Sequence, residues 1–147
     1  MERFKNQLTT LELTEITQFE KIYTIGKYRV RTSADFSKRE DGTYRAHVGE
    51  QLGFRYLVEE VCGAGAFGQV LKCRDMKDNT NLVVAVKISK STKNDTEMAM
   101  TEAKFLIKIA QNDPDKHGLL KYYDSFSFRR HFFIVTELCG INLYKAF

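Results

Sequence analysis

The chain has 147 residues, 43% of them hydrophobic and 29% charged, a composition that suits one globular domain and excludes both a disordered chain and a second domain of ordinary size. Its formal net charge is +4 with basic residues spread along the chain, so nucleic acid is not an implied partner. The longest apolar run, residues 82–86, is far too short for a bilayer span, and the opening Met1-Glu-Arg-Phe-Lys leads into no signal-like stretch, so neither membrane nor secretion is expected.

From the amino terminus, Thr9-Thr10-Leu11-Glu12 has the form of a capping box, in which a hydroxyl and a carboxylate satisfy the free amides of a helix start. Leu11, Leu13 and Ile16 give that helix an apolar side, and it should end before residues 22–25. Residues 31–51 are polar and read as irregular. From Phe54 the pattern becomes strand-like: residues 54–58 run toward Gly63, residues 69–73 run to a turn near Asp78-Asn79, and residues 82–88 form a third strand of an antiparallel meander.

Asn94, with Glu97 three places on, marks a helix start, and Ala99, Ala103, Leu106 and Ala110 share one stripe that stops before Asp113-Pro114. Residues 119–128, a polar turn at Arg129-Arg130, and residues 132–136 add two strands. The expected fold is α+β: a five-stranded antiparallel sheet with one main helix, preceded by an amino-terminal helix and an extended segment. Cys62, Cys73 and Cys139 are odd in number and widely spaced, with no zinc-ligand spacing, and are expected to be reduced core thiols of a cytoplasmic or nuclear protein without a metal site.

Gly63-Ala-Gly65-Ala-Phe67-Gly68 matches Gly-x-Gly-x-x-Gly, whose glycines let backbone amides approach phosphate oxygens. A dinucleotide fold would need a helix after the loop and an acidic residue about twenty places on, yet residues 69–73 read as a strand and residues 83–88 contain no acid. A Walker loop would need Gly-Lys-Ser/Thr, which is missing. A glycine hairpin between two strands, of the kind that covers ATP in protein kinases, fits the strand-like residues on both sides of the loop. By itself the motif fits a ligand-free hairpin equally well.

Two charges stand in apolar company. Lys87 interrupts the most apolar strand, on the face it shares with Ala85, and Glu102 lies between Ala99 and Leu106 on the helix stripe. An uncompensated buried charge costs on the order of several kcal/mol, so the two are expected to be buried and to meet. The bland alternative is that Lys87 reaches water and Glu102 is a surface acid at the stripe's edge.

Taken together, Gly63-Ala-Gly-Ala-Phe-Gly-Gln-Val, Val84-Ala-Val-Lys87 and Glu102 on a helix resemble the protein-kinase set of glycine loop, strand lysine and helix glutamate. The ending, Phe133-Ile-Val-Thr-Glu-Leu-Cys with Asn142-Leu-Tyr, resembles the hinge of the dual-specificity tyrosine-phosphorylation-regulated kinases. Upstream, Leu8-Thr-Thr-Leu-Glu-Leu-Thr-Glu-Ile, Lys21-Ile-Tyr and Asp41-Gly-Thr-Tyr resemble the amino-terminal segment and homology box of class 2 members. The resemblance implies a serine/threonine kinase with tyrosine autophosphorylation, ATP as cofactor with Mg²⁺ in a complete kinase, and protein substrates.

Residue by residue, the resemblance implies that Val70 and Ala85 sandwich adenine, that Lys87 holds the α- and β-phosphates, and that Glu102 holds Lys87. Glu137 and Cys139 would offer hinge backbone groups, Asn142 would face the ribose, and Thr136 would be the gatekeeper. It divides the chain into a family-type amino-terminal segment (1–52), an ATP-binding small lobe (53–135), and a hinge with the start of the next helix (136–147). No His-Arg-Asp or Asp-Phe-Gly triplet occurs in the sequence, so the chain is expected to be truncated before the catalytic machinery and inactive alone. The alternative expectation is a non-catalytic module that associates with protein through an exposed lobe interface around Phe105 and residues 132–135.

Overall fold

The computed structural model describes residues 2–38, 41–66, 68–113 and 118–140. The capping box forms: the Thr9 hydroxyl accepts from the Glu12 amide at 3.2 Å and the Glu12 carboxylate accepts from the Thr9 amide at 2.9 Å, opening helix α1 (Thr10–Glu15). Residues 31–51 hold more order than their polarity suggests. They contain helix α2 (Ser33–Phe36) and a ribbon of β1 (Ser37–Lys38) against β2 (Thr43–Tyr44), and run into strand β3 (Gln51–Leu52). Elements this short show no period in a sequence.

The main sheet continues through β4 (Tyr56–Gly65), β5 (Gly68–Asp75) and β6 (Val83–Ile88), and then, after helix α3 (Lys93–Asn112), through β7 (Tyr122–Phe128) and β8 (His131–Glu137). The order is β3-β4-β5-β6-β8-β7, with every neighbouring pair antiparallel. It has six strands rather than the five expected, because β3 folds back on β4 through a turn in which Gly53 and Phe54 take φ values of 58° and 54°. Phe54 therefore sits in the turn instead of starting a strand. The α3 cap also differs from expectation: the Thr92 hydroxyl, not Asn94, accepts from the Asp95 amide at 3.1 Å.

Strand β6 shows how the sheet works. Val84, Val86 and Ile88 are fully buried, while Ala85 and Lys87 between them are half-buried on the other face. The first set joins Leu71, Cys73, Phe133 and Val135 in a core completed by Ile16, Val30, Phe36 and Tyr44 of the amino-terminal segment. On the opposite face, Ala99 and Ala103 of α3 pack on Phe132 and Ile134. Burial of each larger apolar side chain contributes about 1.5–3 kcal/mol, so the segment before residue 53 stabilises the same core as the sheet.

A buried charge network ties these parts together. Arg129 and Arg130 form the two-residue link from β7 to β8, with φ of 48° and 65°, the mirror-image turn whose twist suits a short hairpin. The Arg129 side chain is 1% exposed; its Nε and Nη2 donate to Glu15 at 2.7 and 2.9 Å, and its Nη1 donates to Glu50 at 2.7 Å and to the Tyr44 hydroxyl at 3.1 Å. Tyr44 in turn donates to Glu50. Burial opposes the charge on Arg129, but the Glu15 hydrogen bonds and the neighbouring acids outweigh it and keep the guanidinium protonated. Burial pushes the Glu50 carboxyl up despite the Tyr44 hydrogen bond and the Arg129 charge.

Candidate nucleotide site

Register fixes the floor of the site. Val70 lies opposite Lys87, Lys72 opposite Ala85, Ala85 opposite Thr136, and Lys87 opposite Ile134, so side chains from β5, β6 and β8 share one face of the sheet. Helix α3 crosses the far end of that face and brings in Glu102. Its carboxylate Oε2 lies 2.6 Å from Lys87 Nζ, so the two charges meet as their placement in the sequence requires.

The pair is not buried, however. The Lys87 and Glu102 side chains are 36% and 42% exposed, because the face carrying Ala85 and Lys87 opens onto a cleft rather than a closed core. That cleft encloses about 640 Å³ and is lined by Val70, Ala85, Lys87, Glu102, Thr136, Glu137 and Cys139, with Glu60, Cys62 and Lys72 on the glycine-hairpin side and Leu106 from α3. A second space of about 300 Å³ continues past the ion pair between Ser89, Met98, Ala99 and Ile134. The main cleft has the size and mixed apolar and charged lining of a small-molecule site.

The glycine hairpin joins β4 to β5, with Gly65 paired to Gly68. A Cβ at Gly63 or Gly65 would meet nothing within 4 Å, so their backbone is open to an approaching ligand. Gly68 is different. Its φ of +131° and an added Cβ only 2.0 Å from the Ile88 carbonyl oxygen make it obligatory for the hairpin itself. Phe67 and Asn142, the remaining expected contacts, lie outside the described residues.

At the end of β8, where the hinge is expected, the Glu137 amide donates to the Lys121 carbonyl at 2.9 Å and its carboxylate accepts from the Lys121 amide at 2.8 Å. The Thr136 hydroxyl leans on the Glu137 carbonyl at 3.2 Å. The thiols correct the expectation of three core cysteines. Cys73 is buried, and desolvation pushes its thiol far above the usual range, but Cys62 and Cys139 are exposed. Both line the open cleft instead of the packed core. Among the described residues no group of three or more His, Cys, Asp or Glu side chains could hold a metal, and no helix is long and apolar enough to cross a membrane.

Sequence inspection misses the Arg129 network, whose acids lie far upstream, and the Arg55 clamp. Arg55 donates to Asp75 at 2.6 and 2.9 Å and to Asp124 at 3.2 Å, fastening the β4 start to β7. Burial pushes the Asp75 carboxyl up, but the Arg55 hydrogen bonds and the Lys77 amide outweigh it and hold the group below its ordinary range. Neither cluster has a local spacing that would announce it.

A curled antiparallel sheet, a single long helix, and a lysine-glutamate pair under a glycine hairpin define the small lobe of a protein kinase. The chain belongs to the protein tyrosine and serine/threonine kinase family, whose model matches residues 57–146. Among individual proteins it is 38% identical over 148 residues to the DYRK-family kinase pom1 of Schizosaccharomyces pombe, covering 94% of the chain and 13% of that protein. It is 37% identical over 150 residues to human dual specificity tyrosine-phosphorylation-regulated kinase 4, covering 97% of the chain and 28% of that kinase. Against the dual specificity protein kinase YAK1 of Saccharomyces cerevisiae it is 40% identical over 108 residues, covering 69% of the chain and 13% of that protein. The chain thus spans between 13% and 28% of the length of these relatives.

Proposed function

We propose that the chain is the nucleotide-gripping lobe of a cytoplasmic or nuclear protein kinase that transfers the γ-phosphate of ATP to serine and threonine of protein substrates, with autophosphorylation on tyrosine. The observation that carries this reading is the 2.6 Å contact between Lys87 and Glu102 on the floor of the cleft. In it, Val70 and Ala85 form the apolar slot for adenine, and the hinge from Thr136 to Cys139 meets its edge. Asn142 takes the ribose. Lys87 presents a fixed positive charge to the α- and β-phosphates, and Glu102 orients that ammonium so that little reorganisation is needed when phosphate arrives. The open backbone at Gly63 and Gly65 covers the phosphates from above.

ATP in a kinase works with Mg²⁺ held by an Asp-Phe-Gly aspartate and a catalytic-loop asparagine, and these motifs do not occur in the sequence. Glu102 offers no substitute, since it is engaged by Lys87. These residues alone are therefore expected to bind ATP weakly and to transfer no phosphate. Titration of ¹⁵N-labelled chain with ATP tests the reading. Amide shifts at Gly63, Gly65, Lys87 and Cys139, with α1 unmoved, support it; no shift in the cleft at millimolar ATP refutes it.

A second reading, a non-catalytic module that acts by association, draws on one observation: Phe105 is 62% exposed on α3, with Ile109 four residues on also exposed, whereas residues 132–135, expected in the same exposed surface, are buried because α3 and the core cover both faces of β8. A strictly monomeric chain in sedimentation velocity, binding no other protein, would exclude it.

A further inference from the structure

The three thiols differ sharply in what surrounds them. Cys73 has no exposed surface and sits in the core on β5. Cys62 and Cys139 are exposed, and both line the same 640 Å³ cleft. They reach it from different parts of the fold: Cys62 from β4 as it enters the glycine hairpin, Cys139 from the chain just past β8. Val70 and Ala85, the proposed adenine contacts, line that cavity too. A group joined to either sulfur therefore takes up volume that a cleft ligand needs, and no movement of the core is required to reach either one.

We propose that Cys62 and Cys139 form a thiol–disulfide exchange site inside the nucleotide cleft, at which a low-molecular-weight disulfide such as glutathione disulfide couples to the protein and closes the cleft to ATP. The exclusion of ATP rests on the nucleotide reading of the cleft; the exchange site itself does not. In the exchange, the cysteine sulfur, its proton lost to solvent, attacks one sulfur of the disulfide. The new sulfur–sulfur bond forms as the old one breaks, and the second glutathione leaves as a thiolate that takes up a proton. A thiol reductant reverses the step. An adduct of tripeptide size on either wall fills the slot sterically.

The test incubates the folded chain with excess glutathione disulfide and follows each site by intact mass and peptide mapping. Adducts are expected at Cys62 and Cys139 and none at Cys73 until the chain is unfolded in urea, with Cys62→Ser and Cys139→Ser each removing one adduct. ATP at about ten times the dissociation constant measured by calorimetry leaves roughly one cleft in eleven empty, so both adducts should form about tenfold more slowly. Labelling of Cys73 as fast as of the cleft thiols, or no labelling of the cleft thiols, overturns the proposal. Unslowed labelling while calorimetry shows ATP bound overturns it too and leaves the nucleotide reading standing. If calorimetry shows no ATP binding, the nucleotide reading fails instead, and the adduct pattern alone decides whether the exchange site is real.

Discussion

Replacing Arg129 with leucine removes the shared partner of two acids at once. Glu15 and Glu50, whose side chains are 10% and 1% exposed, would keep their burial and lose their counter-charge, and the Tyr44 hydroxyl would lose one of its two partners. Deleting one member of a buried ion pair costs about 3–5 kcal/mol, a large share of the roughly 5–15 kcal/mol that holds a domain together. At about 2–4 °C per kcal/mol for a chain of this size, the midpoint should fall by about 6–20 °C. The assay is urea and thermal unfolding followed by circular dichroism, run beside Arg129→Lys, which keeps the charge but cannot make the two-pronged contact to Glu15. The lysine variant should lie between the parent and the leucine variant. A loss under about 1 kcal/mol for the leucine variant would refute the reasoning, since it would mean that the two acids find water or a proton at little cost.

Other substitutions separate fold from site. Gly68→Ala should destabilise by about 3 kcal/mol or more, because its Cβ would lie 2.0 Å from the Ile88 carbonyl oxygen; Gly65→Ala, with open space around its Cβ, should leave the unfolding midpoint unchanged while weakening ATP binding. Thr9→Ala breaks the capping box and the 2.5 Å bond to the Val30 carbonyl, and should cost about 1 kcal/mol in urea titrations. His131 supplies a pH dependence. Burial depresses its pKa below the ordinary 6.5, against the pull of the Ser89 carbonyl, so the unfolded chain binds the proton first. Stability should be intact above pH 6.5 and fall as the pH drops from there toward the folded value, by at most about 1.4 kcal/mol per unit, and His131→Phe should remove that slope.

The elements legible in the sequence are those with enough length or chemistry to set a period. The capping box at Thr9 and Glu12, the alternation along β6 and the small-residue stripe of α3 all have a local physical cause. The α3 start is ambiguous because Thr92-x-x-Asp95 and Asn94-x-x-Glu97 are rival caps two residues apart, and the helix starts at the first of them. β3 escapes notice because two residues carry no period and its turn is made by a phenylalanine at positive φ. Arg129 reads as a surface turn because its partners Glu50 and Glu15 lie 79 and 114 residues upstream. Lys87 and Glu102 do meet, but in an open cleft and not in the interior, since alternation tells which face a residue takes and not whether that face is covered.

Calorimetric titration with ATP of the chain and its Lys87→Ala and Glu102→Gln variants tests the central claim most directly. The pair is more than a third exposed, so both variants should unfold within about 1 kcal/mol of the parent. Weak ATP binding by the parent, abolished in Lys87→Ala and reduced in Glu102→Gln, is the predicted result; a folded Lys87→Ala chain that binds ATP as well as the parent would contradict the account.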